Sequence, residues 1–269
     1  MSVLVAAPAA GLDNPGGGAT TMAVRGVDIS SYQHQGQAAI NWASLKKAGY
    51  RFVAVKATEG TYYFNPYYHA DVAAATRVGM NVIPYVFANP HDSDGASEAA
   101  YAVAQSGYRW RGRMLPLVVD LEPDPYTRQD HTNACYGLTR PKMVAWIAAF
   151  EARTKSQTGH DPLIYTTASW WGKCTGNSKA FRDDPLWVAD YGAHQPSLPS
   201  AWSKWTFWQY SNAAQLPGAG YKGRVDLDYG PARLSTLLHS STHRHRHRHH
   251  MHHLSHAAHG FQRTRVLRP

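Results

Sequence analysis

Eight short apolar runs, rich in β-branched residues, recur between Arg25 and Asp228, most of them separated by longer stretches of helical pattern. They are Arg25–Ile29, Phe52–Lys56, Asn81–Ala88, Leu115–Leu121, Pro162–Tyr165, Leu186–Asp190, Trp205–Tyr210 and Arg224–Asp228. A strand followed by a helix, repeated, sets parallel strands side by side with helices outside them. Eight such strands in a chain of 269 residues suit a closed barrel built in one piece. The helical pattern is clear in NWASLKKAGY, NPYYHADVAAATRVG and SEAAYAVAQSGY. It is strongest in LTRPKMVAWIAAFEARTKSQTG, where Met143, Ile147 and Phe150 share a face and Gly159 stands as a C-cap. After Tyr165 the spacers TTASWWGKCTGNSKAFRDD and GAHQPSLPSAWSK are broken by Gly, Ser and Pro, which predicts loops or single helical turns there. The expected fold class is therefore α/β, an irregular (β/α) barrel of eight mainly parallel strands with a degenerate second half. An open doubly wound sheet is disfavoured because no Gly-rich phosphate turn follows the first strand.

Reactive groups in such barrels stand at one rim, on the C-terminal ends of the strands. Three of these ends carry acids: Asp28 in GVDIS, Asp120 and Glu122 in LPLVVDLEP, and Asp226 and Asp228 in RVDLDYG. The strand period of two puts Asp120 and Glu122 on the same side. The LPLVV run reads as buried on both faces, so acids at its end are costly unless they act. Two carboxyls held close repel when both are ionised, which keeps a proton on one while its partner stays anionic, and glycoside hydrolysis needs that division. Asp28, Asp120, Glu122 and Asp226 also suit a hard cation, but no His joins them at a strand end, so no metal is expected.

Aromatic residues make up 12% of the chain, and many of them fall at the same rim: Tyr32, Tyr85, Phe87, Tyr165, Trp187, Tyr191, Trp208 and Tyr210. Flat rings suit the C–H faces of sugars, and hydroxyl or amide groups suit the ring substituents. Tyr32, Tyr85, Tyr165, Trp187, Tyr191, Trp208 and Gln209 are the candidate substrate contacts, though some of these rings serve only to fill the barrel. Ser/His/Asp catalysis has little support, because no G-x-S-x-G elbow is present and the histidines of the central region are scattered.

The two ends read differently from the middle. Residues 1–25 combine an apolar VLVAAPAA with a GLDNPGGGATT spacer, which predicts the remnant of a signal peptide and a flexible linker. Residues 239–269 hold six Arg, ten His and no acid, so +6 of the net +9 lies there and only +3 remains for residues 1–238. A nucleic-acid partner is therefore not implied by the barrel region, residues 26–238. The tail is expected to be a disordered polycation, attracted to anionic wall polymers if it functions at all. Cys135 and Cys174 lack the paired spacing of a zinc site and fit either one disulfide or two buried thiols. No apolar run reaches the roughly 18 residues that a membrane span needs.

With these motifs in order, the chain resembles the family 25 glycoside hydrolases, lysozymes of the N,O-diacetylmuramidase type. The likeness runs from GVDISSYQ through NWASLKKAGYRFVAVKATEG, PYYHADVAAATRVGM, NVIPYVFA and LPLVVDLE to LIYTT, LWVADY, FWQYS and VDLDYG, covering about residues 26–230. It implies a cofactor-free monomer, secreted by a bacterium, that cleaves the β-1,4 bond between N-acetylmuramic acid and N-acetylglucosamine in peptidoglycan. It further implies Glu122 as general acid/base and Asp120 as support for the oxocarbenium-like transition state or for the substrate's N-acetyl group. Asp28 and Asp226 would bind and tune that pair, with Asp226 preferred over Asp228. The segments NACYGLT and GKCTG resemble secreted bacterial members in which the two cysteines are bridged. A chitinase-like barrel is the enzymatic alternative, but its D-x-x-D-x-D-x-E run is missing where LPLVV stands. A carbohydrate-binding module is the non-enzymatic alternative, and it has no need of Glu122 beside Asp120.

Overall fold

In the computed structural model, residues 23–238 are described, apart from positions 38, 110, 217, 221 and 222. Residues 1–22 of the expected leader and the His/Arg tail lie outside the described residues, while residues 24 and 25 already belong to the first strand. The strands are β1 (Val24–Ile29), β2 (Tyr50–Glu59), β3 (Tyr63–Phe64), β4 (Asn81–Phe87), β5 (Val118–Asp120), β6 (Leu163–Thr166), β7 (Leu186–Ala189), β8 (Phe207–Ala214) and β9 (Val225–Gly230). The helices are α1 (Trp42–Lys47), α2 (Tyr68–Arg77), α3 (Gly95–Ser106), α4 (Arg140–Thr158), α5 (Ala168–Thr175) and α6 (Ser235–Leu238).

The sheet runs β1-β9-β8-β7-β6-β5-β4-β2-β3, and a parallel β1–β2 pairing closes it. Eight strands thus form a barrel, and β3 is a two-residue antiparallel addition to the end of β2. Within the eight-stranded barrel all neighbours are parallel except at β9, which runs antiparallel to both β1 and β8. That reversal brings the start of β9, not its end, to the rim where β1 finishes, and pairs Asp226 with Asp28.

Interior packing follows the period of two. Phe52 and Ala54 of β2, Ile83 of β4, Val118 of β5, Leu163 of β6, Trp187 of β7 and Phe207 of β8 form one buried cluster, with Leu234 of the α6 segment included. Gly26 and Gly230 leave room for these rings: a Cβ on Gly26 would lie 2.2 Å from the Phe52 ring, and one on Gly230 would lie 2.7 Å from Phe207. Outside the barrel, α3 through Ala99 and Ala102, α4 through Met143, Trp146, Ile147 and Phe150, and α5 through Trp171 pack against the outer faces of β4 to β8. The long α4 ends at Gly159, whose φ of 81° is the left-handed cap expected there.

Two elements differ from the sequence expectation. The run Leu115–Leu121 yields a strand of only three residues, preceded by Pro116, which has no amide to give the ladder. The TTASWWGKCTG spacer forms the eight-residue helix α5, because the Thr167 hydroxyl caps Trp170 N at 3.1 Å and Gly176 ends the helix in left-handed conformation. Trp170 and Trp171 then anchor it in the outer core.

Candidate active site

The rim at the ends of β1, β5 and β8 and the start of β9 encloses a cavity of about 250 Å³. Asp28, Asp120, Glu122 and Asp226 all line it, together with Tyr32, Tyr85, Tyr165, Trp187, Tyr191 and Gln209. Trp208 does not line it, and this corrects one of the expected contacts. Adjacent residues of a strand face opposite ways. With Gln209 inside, Trp208 points into the outer core beside Trp205, and its Nε1 donates to Asp190 O at 2.9 Å. Asp228 lies one inward step deeper than Asp226, is fully buried and accepts from Trp187 Nε1 at 3.0 Å. The rim position therefore belongs to Asp226.

Gln209 organises one wall. Its Oε1 accepts from the Tyr165 hydroxyl at 2.8 Å and the Tyr191 hydroxyl at 2.7 Å. Two hydroxyl donors on one oxygen fix the amide orientation, and its Nε2 then donates to Asp28 Oδ2 at 2.7 Å. Three strands are tied together at the floor by this relay. Of the rings that line the cavity, Tyr32 and Tyr191 are the most open, 72% and 46% exposed.

The carboxyls are crowded and largely dry. Burial raises Asp120 well above the ordinary carboxylate range, the neighbouring Glu122 raises it further, and the Lys56 cation opposes the rise. Asp120 Oδ1 is buried without a hydrogen-bond partner among the described residues. Glu122 is pushed up to about 7 by burial, opposed by Lys56 and assisted by Asp226 and Glu59. Burial lifts Asp226 to about 6, while a hydrogen bond with Asp28 pulls the other way. Asp28 and Asp228 are both raised well above the ordinary range by burial first and by neighbouring acid second. A carboxyl near 7 can still hold a proton at neutral pH, and the set therefore supports general acid chemistry.

Lys56, which lines the cavity, and Glu59, its partner at 2.5 Å, are a pair that the sequence reading missed. In a regular strand residues three apart face opposite ways, but a register shift between Lys56 and Thr58 brings both to one side. The available signal was a lysine inside the apolar run FVAVKATEG, since a buried cation calls for an acid nearby. Among the described residues, no group of three or more His, Cys, Asp or Glu is arranged to hold a metal ion.

Retained protons make stability depend on pH with a definite sign. Glu98 near 8, Glu122 near 7, Asp184 near 6 and Asp226 near 6 are all raised chiefly by burial, so the folded state keeps protons that the unfolded chain releases. Their stabilisation is complete below about pH 4 and is lost as pH climbs through the folded values. Among the described carboxyls only Glu59 and Asp94 shift the other way. Thermal melting is expected to come several degrees lower at pH 8.5 than at pH 5. Equal or higher melting at pH 8.5 would show that these groups are ionised in the fold.

A barrel rim that gathers carboxyls of unequal proton affinity beside sugar-sized rings defines the class: an α/β barrel of the glycoside-cleaving kind. The sequence profile of Glycosyl hydrolases family 25 matches residues 27–219, and the chain belongs to that family. It is 40% identical over 230 residues to Lysozyme M1 of Streptomyces globisporus, covering 84% of this chain and 74% of that protein. It is 41% identical over 211 residues to the N,O-diacetylmuramidase of Chalaropsis sp, covering 76% and 96%. The fold superposes on the crystal structure of the bacterial lysozyme from Streptomyces coelicolor with a TM-score of 0.73 at 39% identity, covering 80% of this chain and 95% of the other.

Proposed function

We propose that this chain is a lysozyme that hydrolyses the β-1,4 bond between N-acetylmuramic acid and N-acetylglucosamine in peptidoglycan. The observation that carries the assignment is Glu122, a carboxyl raised to about 7 on the lining of the barrel-mouth cavity next to Asp120. Glu122 donates its proton to the leaving glycosidic oxygen and afterwards takes one from water. Asp120, once ionised, faces the positive charge that develops on the sugar, or it orients the substrate's own N-acetyl group toward it. Asp28, held by Gln209, and Asp226 supply the acidic surroundings that keep the Glu122 proton in place. Tyr32, Tyr85, Tyr165, Trp187 and Tyr191 provide stacking and hydroxyl contacts to the glycan. Digestion of purified bacterial walls followed by reducing-end analysis tests this. New ends on muramic acid support it, whereas glucosamine ends or undigested walls overturn it.

A disulfide between Cys135 and Cys174 suits an oxidising compartment, which supports action outside the cell. No described helix is long and apolar enough to cross a membrane. The catalytic unit spans 26–238, and the basic residues 239–269 bind anionic wall polymers. Truncation after Leu238 is then expected to leave cleavage of soluble muropeptides unchanged and to weaken sedimentation with intact walls, most at low salt and about pH 5.5, where the histidines add charge. Equal sedimentation of both forms removes the tail from wall binding.

A further inference from the structure

Lys56 and Glu59 have no step of their own in the chemistry above, yet both are largely buried beside Glu122. Glu59 is 7% exposed and engages both of its oxygens. Oε2 holds Lys56 Nζ at 2.5 Å, and Oε1 accepts from the Tyr62 hydroxyl at 2.7 Å and from the Tyr126 hydroxyl. Burial raises Glu59, but the Lys56 charge and these three bonds outweigh it, leaving the carboxyl below its ordinary range and anionic throughout the working pH. Tyr62 is held in turn by Asn89 Nδ2 at 3.2 Å, and the Asn89 backbone N–H donates to the fully buried Glu98 at 3.1 Å. The anchor therefore belongs to a chain of contacts reaching the outer core. On its far side the Lys56 ammonium lies over the Phe87 ring, 4.5 Å from its centroid, and on the lining of the cavity that contains Asp120 and Glu122.

A cation on the same cavity lining as a general acid is a hazard as well as a help. A full ion pair with Glu122 would strip its proton, since an opposite charge within about 4–6 Å lowers a carboxyl by one to three units. We propose that Glu59 is a positioning residue: it anchors the Lys56 ammonium against the cavity wall and so keeps it from pairing with Glu122, leaving that carboxyl free to carry the catalytic proton. The inference rests on Glu122 being the acid. The charged and titratable groups that face Glu122 are Lys56 and Glu59 of β2, Asp120 of β5 and Asp226 of β9. Tyr85, Tyr136, Tyr165 and Tyr191 also face it, and burial keeps all four well above the ordinary tyrosine range as neutral hydroxyls.

The two halves of the pair make opposite predictions. Glu59→Gln keeps the shape and the oxygen that accepts from the tyrosines, but it frees Lys56 to turn toward Glu122. The alkaline limb of the pH–rate profile is expected to fall by about one pH unit. Lys56→Gln removes the only cation near Glu122 among these groups, and the same limb is expected to rise by a similar amount. A purely structural role would lower rates in both variants without splitting the limbs. Carbon-13 carboxyl titration of Glu122 in the whole protein reads the same effect without activity. The Glu59 charge itself raises Glu122, so opposite shifts in both readouts support the proposal when the Glu59→Gln shift is lost in a chain that already carries Lys56→Gln. Opposite shifts in the titration that the kinetic limb does not follow support the anchoring role and overturn Glu122 as the acid. An unmoved titration, shifts of one sign in both variants, or a Glu59→Gln shift that persists in the Lys56→Gln background overturns the proposal. If Glu59→Gln does not fold, Glu59→Asp decides by the same criterion, since it keeps the charge but shortens the reach to Lys56.

Discussion

Glu122→Gln is expected to lower wall hydrolysis by about 10² to 10⁴ while leaving the fold intact, which is the span general acid catalysis contributes. The amide has the size of the carboxyl and keeps one acceptor, so the stacking wall and the Gln209 relay are undisturbed. What it lacks is an acidic proton for the leaving oxygen. The electrostatics add a second expectation. Burial and the Glu122 charge together raise Asp120, so a neutral side chain at 122 relieves repulsion between two buried acids. The variant should melt no lower than the parent at pH 8, even though it is inactive. Loss of activity through unfolding would instead lower both. Turnover within tenfold of the parent, in folded protein, takes the proton-donor role away from Glu122 and leaves Asp120 or Asp226 to be tested in its place.

The acids were legible because two simple rules apply to them. Asp28, Asp120 and Glu122 close apolar runs, where an ion is expensive, and the strand period places Asp120 and Glu122 together. Asp226 was found by the same pattern for a partly different reason. The strand that carries it is reversed, so it reaches the rim at the start of β9, and nothing in RVDLDYG announces that reversal. Trp208 was misplaced although its neighbour held the answer. Once Gln209 faces the cavity, the period of two sends Trp208 outward, and a run of aromatic residues at a strand end does not override that alternation. Lys56 and Glu59 were hidden by the bulge after Lys56, because a three-residue spacing on a strand ordinarily argues against contact. Helix α5 was underestimated from its Gly and Ser content, since the Thr167 cap, the two tryptophans and a covalent link to a distant loop outweigh weak local propensity.

That covalent link carries the other large expected effect. Cys135 and Cys174 are bonded across a sequence separation of 39 with Cα atoms 5.4 Å apart, joining the β5–α4 loop to α5. Closing a loop of that length in the unfolded chain removes entropy worth about 4 kcal/mol. The paired Cys135→Ser and Cys174→Ser variant is expected to melt about 8–16 °C lower, at roughly 2–4 °C per kcal/mol for a domain of this size. Activity should fall far less than stability. The loop keeps a second tether to α5, because Trp170 Nε1 donates to Ala134 O at 2.9 Å, and the Tyr126 hydroxyl still reaches Glu59. The bond itself is checked by alkylating the unreduced, unfolded protein, which should label no thiol. Two labelled thiols would contradict the bridge. A melting point within about 2 °C of the parent, with the bridge present in the parent, would mean the unfolded chain already holds these segments together, and the entropy of loop closure would not be what stabilises the rim.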